Sequence, residues 1–359
     1  MRYLNYKYHA AVIFLQVLLF ASVFANDGGY KKKYNREYNV QPGTQLQIDN
    51  KYGNIDIKNW DRKMISVEVT ITYNGTSEEK AQKLFGQIDI RFSESGNIIS
   101  VNTNIQEDFG KLIQQNSDKL VDISYSVMMP ANIPLQLSNK YGNVFINELN
   151  STSTIDIKYG NLKANRLLHN DKKPLTQVTL AYSNASIQEA VWIKFDIKYS
   201  KIEVEESKAM VILSKYSRVF VTNGTSVVSE SKYDTYRLGK LTNLVTTAGY
   251  TNFKVQEITD KLVAETKYSD FIVYKIPAAF ESIKVISSYG NYSLAIDQGA
   301  SYHIEGYAKY AKITIPDNAR VNRFNENNEQ KISGLVGTDS NTRAKVFINT
   351  NYGGVKLID

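Results

Sequence analysis

Short runs of alternating apolar and polar residues fill much of the chain, and they return at nearly constant intervals. Each run leads into Lys-Tyr-Gly, Lys-Tyr-Ser or a close variant, and an apolar-x-apolar pair follows. The recurring Tyr stands at Tyr52, Tyr141, Tyr159, Tyr182, Tyr199, Tyr216, Tyr233, Tyr250, Tyr268, Tyr289, Tyr310 and Tyr352. From Tyr141 onward the steps are 18, 23, 17, 17, 17, 17, 18, 21, 21 and 42 residues. The last step equals two of 21, which predicts a unit near Lys331 that has lost its Tyr.

The copies align column by column. Ile55, Val144, Leu162, Ile202, Val219 and Phe253 stand three residues after their Tyr, and Ile57, Ile146, Ile187, Val204, Val221 and Val255 stand five after. A period of two is the signature of a strand with one buried face. Two residues before the Tyr the column is often small or polar, as in Asn139, Ser214, Ser231, Ala248 and Thr266. Counted by alternation, the Tyr is in phase with these inward positions. The Gly or Ser that follows is then expected to reset the phase at a corner, where Gly and Asn tolerate the bend.

A unit of 17 residues cannot bury its own apolar face, so neighbours must stack to make a core. The expected fold is all-β: a parallel β-solenoid with 17–21-residue coils, rising about 4.8 Å per coil to roughly 50 Å. An antiparallel meander with Lys-Tyr-Gly-Asn hairpin turns is the competing architecture. It does not explain why identical residues recur at one position of every unit.

Residues 1–25 read as an export signal, with Arg2 and Lys7 before an apolar run from Ala10 to Phe24 and a small residue at Ala25. A retained anchor is the alternative, and no later segment is apolar enough to span a membrane. Residues 26–39 carry Lys31, Lys32, Lys33 and Arg36 and read as a basic flexible leader. Residues 40–134 break the short period and read as a β-rich module with one helix. Met64 to Tyr73 alternates like a strand, and Ser77 caps an amphipathic run to Phe85. Strands are expected around Ile88 to Phe92, Ile98 to Thr103 and Val121 to Met129. The regular coils occupy residues 135–359.

Composition narrows the function classes. Twenty-five Tyr and 14 Phe favour β structure, and an exported chain without Cys takes no stability from disulfides. The formal charge is +7, and it falls to +5 when the two basic residues of the signal leave. Charge this mixed in sign does not point to nucleic acid. His169 and His303 are far apart and have no ligand-spaced partner, so neither a metal nor a cofactor is expected. No nucleophile elbow, zinc-protease motif or phosphate loop occurs. Glu189 and Glu206 each lie seven residues after their Tyr in consecutive units. That placement is the one hint of a carboxylate pair, and solvated surface charge is the bland reading.

The stronger constellation is cationic. Lys precedes the Tyr at Lys51, Lys140, Lys158, Lys198, Lys215, Lys232, Lys267 and Lys309. Lys198, Lys215 and Lys232 fall in successive units, with Lys201 and Arg218 just past the corner. Their stems can simply cover the Tyr while their heads are solvated or paired with Glu203, Glu230 or Asp234. As a strip, the five are the candidate binding residues for a polyanion.

Asn50-Lys51-Tyr52-Gly53-Asn54-Ile55, Asn139-Lys140-Tyr141-Gly142-Asn143-Val144 and Thr350-Asn351-Tyr352-Gly353-Gly354-Val355 resemble the putative-adhesin β-strand-repeat family of exported bacterial proteins. The likeness covers most of residues 40–359. It implies a β-solenoid and supplies no catalytic residues. The functional expectation is a non-catalytic exported protein, periplasmic or on the cell surface, that binds an anionic polysaccharide or an envelope protein. The rivals are a polysaccharide lyase or glycoside hydrolase built on the same coils, and a structural or regulatory periplasmic partner.

Overall fold

The computed structural model describes residues 23–26, 29–106, 109, 121–169, 175–317 and 319–358. Most of the predicted export signal, residues 1–22, lies outside these. Among the described residues the chain is all-β apart from helix Glu78–Phe85 and the helical residue Phe109, and its 27 strands form one hydrogen-bonded network, mostly parallel. Among the described residues no helix is long and apolar enough to cross a membrane.

The 17-residue period is the distance the chain travels before it lies on itself. Strand Asn184–Lys198 pairs in parallel with Lys201–Lys215, so that Ile187 meets Val204, Ile197 meets Ser214 and Lys198 meets Lys215. Lys201–Lys215 pairs in the same register with Arg218–Lys232, and that strand with Thr235–Gly249. Each of these strands bends, because its in–out alternation slips at fixed points. In Lys201–Lys215 the outward pair Glu205–Glu206 and the pair Lys208–Ala209 mark two bends, and Lys215–Tyr216 marks the third. Extra residues are absorbed away from the Tyr. One residue enters as a register shift opposite Leu241–Asn243, which accounts for the step of 18 from Tyr250 to Tyr268.

The inward positions of all units form one core, with Ile202, Val204, Met210 and Ile212 at 2% exposure or less. Within it lies a second aromatic column three residues after the Tyr: Tyr236, Phe253, Phe271 and Tyr292, with centroids 4.7–5.2 Å apart. The small column two residues before the Tyr makes room for these rings. Ser214 and Thr266 also take the Tyr236 and Tyr292 hydroxyls at 2.6 and 2.7 Å, as buried phenols require. Where the ring gives way to Ile202 or Ala185, the facing residue enlarges to Ile197 or Leu180.

Both ends depart from the simple order. The expected unit near Lys331 does not exist. Ala319–Glu326 and Glu329–Val336 form an antiparallel hairpin turning at Asn327–Asn328, and its second strand pairs antiparallel with Tyr302–Lys309. The Tyr352 unit is instead inserted between its predecessors: Lys345–Asn351 pairs with Ser282–Ser288 on one side and Tyr302–Lys309 on the other. The 42-residue step thus arises from a hairpin excursion of coincidental length. The other end mirrors this. Ile55–Asn59 lies between Val144–Leu149 and Val121–Met129. Gly29–Asn39, read above as a flexible leader, is a strand paired from Tyr30 to Asn39 with Met64–Tyr73. Its Tyr30, Tyr34 and Tyr38 pack against the core, a period of two obscured by the lysine run between them. Ser77 caps the helix as expected, accepting the Lys80 N–H at 3.4 Å.

Candidate functional site

All twelve repeating tyrosines have left-handed backbone, with φ between 50° and 64°. This conformation, invisible to simple alternation, turns the side chain outward. Lys215 and Tyr216 both face solvent and Ser217 faces in, so the phase resets at the Tyr itself and the inward placement expected for it is corrected. The rings of Tyr199, Tyr216 and Tyr233 are 50%, 42% and 41% exposed. Successive rings stack at 4.8–5.2 Å with interplanar angles of 1–19°. The inserted unit is visible here too, since Tyr352 lies between Tyr289 and Tyr310. Phe109, buried, leans on Tyr52 at 5.9 Å, and at the far end the Tyr310 N–H reaches the Asn328 carbonyl of the hairpin turn.

The column after the Tyr explains how so tight a corner can stack. At Gly142 a Cβ would fall 1.8 Å from the Gly53 carbonyl oxygen, and at Gly160 2.0 Å from that of Gly142. Further along, hydroxyls fill the column. The N–H of Ser183 donates to Ser200 Oγ and that of Ser200 to Ser217 Oγ, both at 3.2 Å. Each Oγ donates in turn to the carbonyl two residues earlier. Asp234 takes one place in this chain. Its buried carboxylate accepts from Ser217 N–H at 2.6 Å, Ser214 Oγ at 2.7 Å and Lys232 N–H at 2.9 Å. It is therefore not available to a surface lysine, as the sequence reading allowed.

Burial pushes the Asp234 carboxyl above its ordinary value, against the pull of these three hydrogen bonds. The folded chain thus holds that proton more tightly than the unfolded chain does, and stability falls as pH rises through the unfolded and then the folded value. Asp234→Ser restores the hydroxyl of the neighbouring units. Thermal denaturation is expected to give the variant a higher Tm at neutral pH, with the difference closing below the unfolded Asp value of about 3.9. A gap that stays constant with pH would contradict the assignment.

The lysine column is assembled in register: Lys158, Ala181, Lys198, Lys215, Lys232, Gly249 and Lys267 follow one another. Lys215 and Lys232 each lie 5.4 Å from the ring centre of the following Tyr. Their stems and heads therefore run along the row, a contact of about 0.5–1 kcal/mol at an exposed site. Lys201 and Arg218 pair with each other on the opposite flank. Lys201 is held by Glu203 at 2.5 Å and lies over Phe220. All five candidate residues thus flank one stretch of the row, three on one side and two on the other. A groove of about 800 Å³ runs beside the lysines, walled by Tyr250 and Tyr268 and lined also by Asp196, Glu230 and Glu265. Gly249 and Lys267, absent from the sequence-predicted strip, belong to it.

Glu189 and Glu206 are neighbours in register, as expected, on an exposed bend with Lys208 and Lys240 beside them. His169 contacts Thr152, and His303 faces Leu335 and Lys345 on adjoining strands. Among the described residues no three His, Cys, Asp or Glu side chains gather as metal ligands would.

No family model matches the sequence, and no curated protein does. Solved chains do match. One, "putative cell adhesion protein from Clostridium sporogenes", is 8% identical, covering 91% of this chain and 99% of its own, at a TM-score of 0.21. A "putative adhesin from Parabacteroides distasonis" is 10% identical over 91% and 97%, and a "putative lipid binding protein" of the same organism 9% over 93% and 98%, both at 0.29. TM-scores this low establish no shared fold.

Proposed function

We propose that the protein is a non-catalytic β-solenoid, exported to the periplasm or cell surface, whose tyrosine ridge and flanking cations bind an anionic glycan or another anionic envelope component. The observation that carries this reading is the choice of Tyr at the corner. A left-handed residue with a side chain costs about 1–2 kcal/mol, and Gly or Asn would avoid most of that. Ring stacking returns about 0.5–1.5 kcal/mol per pair. The two terms nearly cancel, so the fold gains little from phenols at these corners, and they remain half exposed. Tyr rings with lysines held alongside present hydrogen-bond donors and positive charge to an extended ligand.

Binding to a panel of acidic polysaccharides, followed against salt, tests the reading. In Lys198→Ala/Lys215→Ala/Lys232→Ala, three exposed charge contacts of about 0.2–1 kcal/mol each are lost. The expected drop in affinity is about 3- to 150-fold, with a shallower salt dependence. Unchanged binding would remove the strip from the account. No release of reducing or unsaturated sugar is expected from any of these polymers, and such release would favour the enzymatic rival.

A further inference from the structure

Resting on the binding reading above, we propose a narrower site: the stretch over Tyr199, Tyr216 and Tyr233 takes a linear polyuronate lying along the row, one sugar per unit. Two independent columns converge there. On one flank Lys198, Lys215 and Lys232 form one of the two runs of three lysines in the row, bounded by Ala181 and Gly249; the second run, Lys51, Lys140 and Lys158, lies beside the asparagines of the opposite column. On the other, the position two residues after the Tyr is an asparagine ladder that satisfies itself, with Asn161 Nδ2 donating to Asn143 at 2.7 Å and Asn184 Nδ2 to Asn161 at 2.9 Å. That ladder gives way to cations in consecutive units only at Lys201 and Arg218. Replacing self-paired amides by stacked like charges is unfavourable for the bare fold. It becomes favourable when an anion lies between the columns.

The spacing selects the anion. Rings from Tyr182 to Tyr250 repeat at 4.9–5.0 Å, and the paired cations repeat with them. An extended 1,4-linked uronate chain advances by close to one such step per sugar. It turns successive carboxylates to alternate sides, and both flanks here carry cations. Its sugars also offer hydroxyls to the phenols. Acidic side chains limit the charge density that fits. Glu203 occupies Lys201, and Asp196 and Glu230 stand in the column next to the lysines. One anion per unit is accommodated, and a densely sulfated chain gains nothing further.

Gly249 makes the proposal testable by gain. It interrupts the row between Lys232 and Lys267, its backbone is not left-handed, and an added Cβ would meet nothing within 4 Å. Full-length wild-type protein, Gly249→Lys and the Lys198/Lys215/Lys232 triple variant are compared by calorimetry on polygalacturonate, its fully methyl-esterified form and dextran sulfate. Wild type is expected to bind polygalacturonate in a salt-sensitive manner, to ignore the ester, and to bind dextran sulfate no more tightly. Gly249→Lys is expected to tighten polygalacturonate binding about two- to fivefold through one added charge contact, with a steeper salt dependence. Equal affinity of wild type and Gly249→Lys, or preference for dextran sulfate, overturns the polyuronate assignment while loss of binding in the triple variant keeps the ridge. Absence of salt-sensitive binding to either polyanion overturns both.

Discussion

Phe253→Ala is expected to lower stability by about 3–5 kcal/mol, the range for a large aromatic removed from a packed core. The ring is 1% exposed and lies 4.8 Å from Tyr236 and 4.7 Å from Phe271. Its neighbours are held by their own strands and cannot collapse into the vacancy. Tyr216→Asn, two units away, provides the contrast. It loses two ring contacts but relieves the left-handed cost, because Asn tolerates that backbone, so a change of about 1 kcal/mol or less is expected. Chemical denaturation monitored by circular dichroism reads both. Comparable losses in the two variants would contradict the division into an inner structural column and an outer surface row.

Removing residues 345–358 is expected to release everything from Tyr302 onward. This segment supplies Val346, Ile348, Thr350, Val355 and Leu357 to the core and hydrogen bonds to strands on both sides. Without it Ser282–Ser288 and Tyr302–Lys309 are separated by the depth of one unit, a gap of about 4.8 Å that the backbone cannot close without repairing every strand. Native-state hydrogen exchange should show protection lost across 302–336 and kept across 184–267, because a stack loses stability chiefly at the unit whose neighbour is removed. Full protection of the hairpin Ala319–Val336 in the shortened chain would contradict the inserted order.

Much of this architecture was legible because each column is chemically uniform. Apolar residues three and five after every Tyr, and small ones two before, suffice to place the strands and their register. What escaped has physical causes. The outward turn of the Tyr depends on a backbone angle that alternation does not encode. The end order escaped because a hairpin of the right length imitates two repeats, and only the strand pairing tells Tyr352 as a terminal unit from Tyr352 as an inserted one. The Tyr30, Tyr34, Tyr38 alternation was masked by three consecutive lysines. For the candidate surface, spacing alone proposed the five cations, which strand register sets in two columns. The gap at Gly249 was missed because an absent side chain leaves no signal, and burial of Asp234 because a carboxylate in a column of hydroxyls reads as surface charge. The run Ser200, Ser217, Asp234, Thr251 was the available clue.

The in-register stack with its inserted last unit is most directly tested by disulfide trapping, since the chain has no cysteine of its own. Ser288 pairs with Asn351 and Asn351 with Lys309, whereas Ser288 and Lys309 stand two units apart despite being 21 residues apart in sequence. Ser288→Cys with Asn351→Cys, and Asn351→Cys with Lys309→Cys, should each oxidise to an intramolecular bond, which needs Cα atoms within about 7 Å. Ser288→Cys with Lys309→Cys should not. A bond in that third pair, with none in the first two, would mean the units stack in simple chain order and would contradict the account.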